Sequence, residues 1–175
     1  DDIELVNKSY MDSVNEKRGY HVLHRIVRKG GKIGFVEERC EHDFDIDGNV
    51  IRSIGTVHDI TEQKVAQNEL MLASEVFAKM SDGVLITDAS QSIIKVNKSF
   101  SNITGYSFEE VEGKTPSFLS SGWHNSDFYE EMWNEISTNG SWHGEIIDRK
   151  KNGEVYTAEI SIIASYNDNG ILTNY

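Results

Sequence analysis

The side chains that could carry chemistry are few and lie apart in the sequence. Cys40 is the only cysteine, so an intrachain disulfide and a cysteine zinc cluster are excluded. It lies on a predicted strand without a nearby base, and we expect a small packed residue rather than a reactive thiol. His21 and His24 are at an odd spacing on a probable strand, which directs them to opposite faces. A two-histidine metal site is therefore not expected there.

No sequence motif of a known catalytic centre is present. The chain contains no GxxxxGK[ST], GxGxxG, HExxH or GxSxG pattern, and its acids and histidines are scattered rather than clustered. The sequence therefore predicts a segment that is not itself an enzyme.

Composition limits the partners of the chain. Its 175 residues have room for one domain or two small ones, and 38% hydrophobic residues suffice for a core. With 17 basic and 29 acidic residues the formal net charge is −12, which disfavours nucleic acid and anionic lipid. No apolar run approaches a membrane span and no signal peptide is visible. We expect a cytoplasmic location, in keeping with a reducing compartment.

An internal repeat organises the chain. An offset of 122 positions superposes Gly31 on Gly153 and Gly48 on Gly170 without a gap. The same offset places a helical triplet on another helical triplet, namely Val6, Tyr10 and Val14 on Phe128, Met132 and Ile136. Chance would hardly produce both matches in one register, so the chain holds about one and a half copies of a unit of roughly 120 residues.

The register of the repeat predicts the domain boundaries. Tyr175 pairs with Ser53, and Asp1 pairs with Trp123. We therefore expect a first unit truncated at its N-terminal side and a second unit that stops before its final strand. The predicted domains are residues 1–60, a connecting helix at 61–80, and a second unit at 81–175. A first residue other than methionine also hints at a fragment.

The second copy predicts an α+β order of elements. Two short strands at 83–88 and 92–97 precede a short helix at 98–104, in which Phe100 and Ile103 are expected to face inward. A second short helix begins after Ser107, and a longer amphipathic helix runs from Asn125 or Ser126 to about Thr138. Strands at 142–149 and 154–165 follow, and another begins at Ile171, equivalent to Val50–Val57 of the first copy.

A helix from Thr61 to about Met80 is predicted to join the copies. Thr61 can cap its start, and Glu62 is favourable near the N-terminal dipole. Five residues recur at spacings of four, three, four and three: Ala66, Leu70, Ala73, Phe77 and Met80. This periodicity is typical of a helix that packs along another helix, although an ordinary surface helix has a similar pattern over two heptads.

The chain resembles the PAS domain family over nearly its whole length. The resemblance rests on the order of several motifs: Gly55-Thr56-Val57-His58-Asp59-Ile60-Thr61-Glu62-Gln63-Lys64, Asp82-Gly83-Val84, Val96-Asn97-Lys98-Ser99-Phe100, Thr104-Gly105-Tyr106-Ser107, Trp142-His143-Gly144-Glu145 and Arg149-Lys150-Lys151-Asn152-Gly153-Glu154. It implies a five-stranded antiparallel sheet with helices over one face and a small pocket. Such units occur in tandem in sensory proteins and pass a change along a linker helix to an output domain.

The resemblance also implies roles for individual residues. Asp59 and Thr61 would relay the signal from the last strand to the linker helix. The expected output domain is a diguanylate cyclase or phosphodiesterase, or a histidine kinase, and a homodimer through the linker helix and the PAS faces is expected. The alternative is a protein-interaction or dimerisation module that binds no ligand.

A pocket in the second unit has several candidate lining residues. They are Asn97, Phe100, Ile103, Phe118, Met132, Trp142 and Ile146, with Ile86 and Ile160 beside them. The alternative interpretation is that these residues only pack in the core. Asn97 and Trp142 are the best candidates for ligand contact, because each carries a polar atom that needs a hydrogen-bond partner when buried.

The nature of any cofactor stays open. Pro116 occupies the place of the adduct-forming cysteine of light-oxygen-voltage domains, so cysteinyl photochemistry is excluded. A redox-sensing flavin is compatible with the Trp-x-Gly-Glu motif. A haem would need His124 or His143 as its axial ligand and is less expected. A unit without a cofactor, or with a small metabolite, is the further alternative.

Overall fold

The computed structural model describes residues 2–175 and divides into two compact units, with the boundary after Ala73. Both units combine helices with antiparallel strands, so the predicted α+β class is confirmed. No helix among residues 2–175 is long and apolar enough to cross a bilayer.

The first unit is a helix followed by a three-stranded antiparallel sheet in the order β1-β2-β3. Its elements are α1 (Ile3–Asn15), β1 (Tyr20–Val27), β2 (Ile33–Phe44) and β3 (Val50–Asp59). The buried apolar side chains are Val22, Val36, Cys40 and Ile60. Nearly every residue of β3 is exposed, and this strand forms one edge of the three-stranded sheet.

The second unit follows the element order that the sequence predicts. Its elements are β4 (Leu85–Thr87), β5 (Ile93–Val96), α3 (Lys98–Thr104), α4 (Phe108–Val111), a 3-10 turn (Pro116–Leu119), α5 (Ser126–Asn139), β6 (Ser141–Arg149), β7 (Val155–Ile163), β8 (Ser165–Tyr166) and β9 (Leu172–Asn174). Asn97 caps the start of α3 and Asn125 caps the start of α5. Each side chain accepts a hydrogen bond from the backbone N–H three residues later.

The repeat is visible in the turns of both units. Gly31 and Gly153 have φ values of 80° and 90°, and Gly48 and Gly170 have values of 86° and 73°. This left-handed backbone strains any residue that carries a Cβ, so the turns require glycine at these places. Both members of each equivalent pair are therefore glycine for the same conformational reason.

The end of the chain lies between two strands of the second unit. β9 pairs with β8, and on its other side Asn174 forms a bridge with Asp88. The backbones of Thr87 and Tyr175 exchange two hydrogen bonds, of 3.0 and 3.2 Å. The strands of this unit form three two-stranded antiparallel ladders, β4-β5, β6-β7 and β8-β9. A single five-stranded sheet stays a prediction.

The core of the second unit consists of two clusters. One gathers Ile93, Phe100, Val111 and Leu119, with Phe118 packed against it. The other gathers Met132, Ile136 and Ile146, with Trp142 and Ile160 among its neighbours. Along β7, exposed and half-buried residues alternate, which gives the sheet one face toward α5.

The predicted connecting helix is α2 (Thr61–Lys79), one residue shorter than expected. None of its residues is buried. On the apolar seam, Leu70 is 72% exposed and Met80 is 41% exposed, whereas Phe77 is half-buried.

Candidate functional site

The corner between β3 and α2 is a hydrogen-bonded junction. The Asp59 carboxylate accepts bonds from the Thr61 backbone N–H at 3.0 Å and from the Thr61 hydroxyl at 2.6 Å. The Thr61 Oγ1 in turn accepts the Phe35 N–H of β2 at 2.9 Å, and the Ile60 N–H donates to the Phe35 carbonyl at 3.0 Å. The first turn of the helix is therefore tied to both β2 and β3.

Charge reinforces this corner. The guanidinium of Arg28 pairs with the Asp59 carboxylate and lies 3.1 Å from Thr61 Oγ1. The hydrogen bonds from Thr61, and then Arg28, lower the pKa of Asp59 below its ordinary value. Asp59 is therefore ionised at neutral pH, where its negative charge is also favourable beside the helix N-terminus. The relay role of Asp59 and Thr61 stays a prediction.

Five of the predicted pocket residues belong to two separate packed clusters. Phe100 and Phe118 belong to the cluster beneath α3 and the 3-10 turn, whereas Met132, Trp142 and Ile146 belong to the cluster beneath α5. Their distribution supports packing as the first role of each, and ligand contact stays a prediction.

Ile103 departs from its expected position. It is 40% exposed, whereas Phe100 and Thr104 of the same helix are buried. A helix of seven residues buries only one narrow face, and in α3 Phe100 and Thr104, four positions apart, occupy that face. Ile103 lies beside it, at the margin next to Gly83, where its Cδ1 would be 3.3 Å from an added Cβ. The expectation that it faces inward is wrong.

Asn97 is buried, and its amide is taken up by the backbone. Its Oδ1 accepts the N–H groups of Val84 and Phe100, each at 2.9 Å, and its Nδ2 donates to the Asp82 carbonyl at 2.8 Å. One amide hydrogen is left for any ligand. The hydrogen-bond partners that a buried amide needs are thus supplied by the backbone just before β4 and by the first turn of α3.

Trp142 explains the glycine two residues after it. A Cβ placed on Gly144 would lie 2.6 Å from the Trp142 ring, so the indole covers that position on the inner face of β6. The ring also meets Phe128 edge to face at 6.0 Å between centroids. The spacing Trp-x-Gly is therefore a packing requirement here.

The two histidines considered for haem have other contacts. His124 Nε2 accepts the Ile147 N–H at 3.0 Å, and its ring stacks on Phe128 at 3.9 Å. His143 lies on the exposed face, 2.9 Å from Ser161 Oγ and 3.1 Å from Glu159. No group of three metal-ligating side chains is found in residues 2–175.

Asp148 is a buried polar residue that was not among the candidates from the sequence. It is only 7% exposed on β6, directly across from Tyr156 of β7. Burial raises its pKa to about 6. The signal was present in the sequence, because Trp142, Gly144, Ile146 and Asp148 occupy alternate positions of one strand and hence one face.

The first unit has a more polar inner face than the second. The Tyr20 hydroxyl donates to Glu38, whose other oxygen is 3.2 Å from His24 Nε2. At the repeat offset these three positions correspond to Trp142, Ile160 and Ile146 of the second unit. The two units therefore differ in the chemistry that they enclose.

Cys40 is buried in the first unit, as expected for a packed residue. Burial, followed by the nearby carboxylates of Glu38 and Glu41, raises its pKa. A thiol whose ionisation is disfavoured in this way is a poor nucleophile.

Protein-family models match both units of the chain. A family model described as PAS domain matches residues 81–175, and one described as PAS fold matches residues 1–57. A nitrogen fixation regulatory protein of Klebsiella oxytoca is 32% identical over 95 residues, which are 54% of this chain and 19% of that protein. A blue-light photoreceptor of Listeria innocua is 34% identical over 92 residues, 51% of this chain and 36% of that protein.

A solved structure supports the fold. The PAS domain of a protein from Colwellia psychrerythraea superposes with a TM-score of 0.57 at 24% identity, covering 61% of this chain and 90% of that one. PAS domains are regulatory rather than catalytic units. Because a PAS model matches more than half of its length, this chain belongs to the PAS domain family.

Proposed function

We propose that the chain is a sensory segment of a longer signal-transduction protein. The observation that carries this proposal is the corner at Asp59 and Thr61, where the last strand of the first unit is bonded to the first turn of α2. A shift of β3 relative to β2 cannot occur without straining those bonds. The corner is therefore suited to pass a change in the sheet to the helix.

The relatives support a regulatory role. One is named a nitrogen fixation regulatory protein and another a blue-light photoreceptor. The chain spans 19% and 36% of their lengths, so the activity of the whole protein is part of the proposal. We propose a diguanylate cyclase or phosphodiesterase, or a histidine kinase, as the output domain, and a homodimer through α2.

The stimulus would be a small ligand or cofactor in the second unit. Pro116 begins the 3-10 turn where cysteinyl photochemistry would require a thiol, so a light response of that type is not proposed. A redox flavin or a colourless metabolite fits the same place in the fold.

The second candidate is an interaction module without a ligand. It is favoured by the division of the predicted pocket residues between two packed clusters. Two surface depressions, one beside Cys40 and one beside His24, lie in the first unit.

The visible absorbance of the purified chain, and the mass spectrum of molecules that it releases on denaturation, test these alternatives. A flavin or haem band, or a stoichiometric colourless compound, is the expected result. Protein that is colourless and releases nothing from several expression hosts would contradict the sensory proposal and support the interaction module.

A further inference from the structure

The depression beside His24 adjoins the corner between β3 and α2. It has a volume of about 340 Å³ and is lined by residues of β1, β2 and the N-terminal half of α2. This volume is at the lower end of the range, about 300–1,000 Å³, that small-molecule sites occupy. The depression can therefore receive a small ligand without any cavity in the second unit.

Apolar side chains from three segments form part of the lining. Leu23 lies on β1 and Phe35 on the neighbouring strand β2, and both residues are exposed, Leu23 to 49%. Ile60, the residue before α2, is buried at the same place. An apolar body seated here would remove exposed hydrocarbon from water, which favours binding.

Two hydrogen-bond donors of α2 line the same depression. Lys64 and Asn68 are four positions apart and hence neighbours on one face of the helix. Lys64 is half-buried, and its ammonium group has neither an ion pair nor a hydrogen bond among residues 2–175. None of the residues three or four positions away from it is an acid. The helix therefore offers no partner for this positive charge.

The other ionisable groups of the lining have partners of their own. The Arg25 guanidinium pairs with the Asp2 carboxylate at 2.6 Å, and that carboxylate also accepts the Arg25 backbone N–H at 2.7 Å. His24 lies 3.2 Å from Glu38, which does not line the depression. The charge left uncompensated is that of Lys64, so one negative charge on a ligand would complement the site.

We propose that this depression binds a small molecule in which one carboxylate is joined to an apolar body, such as an alkyl or aryl carboxylic acid. The carboxylate would accept hydrogen bonds from the Lys64 ammonium and the Asn68 amide. The apolar body would contact Leu23, Phe35 and Ile60. The inference goes beyond the proposed function, which places the stimulus in the second unit.

A ligand at this place would act on the corner itself. The Phe35 carbonyl accepts the Ile60 N–H at 3.0 Å, and the Phe35 N–H donates to Thr61 Oγ1 at 2.9 Å. Because Phe35 and Ile60 both line the depression, a ligand packed against them must leave before these bonds can open. Binding would therefore stabilise the junction of the sheet and α2.

The test is a titration of residues 1–175 with sodium octanoate, followed by the amide NMR shifts of Leu23, Phe35 and Ile60, which should saturate. Lys64→Met keeps the apolar stem but removes the charge, and should weaken binding about tenfold or more. Octanamide, an uncharged analogue of octanoate, should bind the wild type more weakly by a similar factor. The matched control is Lys29→Met, at an exposed lysine outside the depression, which should bind like the wild type.

Amide hydrogen exchange tests the effect on the corner. At an octanoate concentration ten times its dissociation constant, exchange of the Ile60 N–H should slow about tenfold. Shifts that do not saturate, equal affinity of Lys64→Met and the wild type, or equal affinity for octanamide would overturn the site, and unchanged exchange at Ile60 would overturn its link to the corner. Each of these results leaves the sensory function standing, because the released-ligand mass spectrum tests that proposal separately.

Discussion

Two asparagines of the second unit cap helices, but their surroundings differ. Asn97 is 3% exposed and bonds three backbone groups on two segments, Asp82, Val84 and Phe100. Asn125 is exposed and accepts one N–H, that of Phe128 at 3.1 Å. The same residue type therefore stabilises one helix end in solvent and joins two elements in the core.

This contrast gives a prediction about stability. Asn97→Ala leaves two N–H groups and one carbonyl without their partner, so we expect a loss of about 2–4 kcal/mol in the free energy of unfolding. Asn125→Ala removes an exposed cap and should cost about 1 kcal/mol. Urea unfolding followed by tryptophan fluorescence measures both, because all three tryptophans lie in the second unit. Equal losses would contradict the assigned roles.

Asp148 gives a pH-dependent prediction. Its folded pKa of about 6 lies above the ordinary value of 3.8, so ionisation destabilises the folded state as the pH rises through this window. At neutral pH, Asp148→Asn should therefore unfold with a free energy about 2 kcal/mol higher than the wild type. The difference should vanish below about pH 4, where both states bind the proton.

Urea unfolding of the two proteins across this pH range measures the effect, with Glu145→Gln as the exposed control. A constant difference between Asp148→Asn and the wild type from acid to neutral pH would show that packing, not the charge, separates them.

At the scale of elements, the junction of β3 and α2 depends on one hydroxyl. Thr61 donates to Asp59 and accepts from Phe35, so it belongs to the helix cap and to the sheet at once. Asp59 alone would cap the helix without reference to β2. The position of the helix on the sheet therefore depends on Thr61 together with the bond from the Ile60 N–H to the Phe35 carbonyl.

Replacement of Thr61 by valine tests this junction. The substitution keeps the shape, removes the hydroxyl's bonds to Asp59, Phe35 and Arg28, and should cost about 1 kcal/mol. Amide hydrogen exchange should accelerate at Phe35 and at the first turn of α2, while β1 is unchanged. Thr56→Val, at an exposed position of β3, is the matched control. Unchanged protection of Phe35 in Thr61→Val would contradict the coupling.

At the scale of the whole molecule, most apolar residues of α2 are exposed in the part of the chain that the structure describes, and Phe77 alone among them is half-buried. Leu70 on the predicted seam is 72% exposed, and Met71, which lies off that seam, is 61% exposed. A homodimer that pairs the seams of two α2 helices would bury the first and not the second.

We therefore expect Leu70→Lys to shift the chain from dimer to monomer, since a charge in the seam must be desolvated. Met71→Lys, an apolar-to-charged change of similar exposure, should leave the dimer intact. Light scattering over a range of concentrations measures the molar mass. Dissociation by both substitutions, or by neither, would contradict pairing through this seam.

Much of the fold was open to prediction because its signals are local. The caps at Asn97 and Asn125, the turn glycines such as Gly153 and the alternation along β7 each depend on hydrogen bonds or periodicity within a few residues. The 122-residue repeat added long-range information that one copy alone lacks, since it made the strand beginning at Ile171 equivalent to β3.

The sequence by itself thus determined the order of the helices and strands, where they begin and end, and the equivalence of the two units. Only the tertiary structure decided that Ile103 lies at the margin of its helix face, that the expected pocket residues divide between two clusters, and that Asp148 is buried. These properties depend on which distant side chains reach one another, and long-range packing has no fixed spacing along the chain.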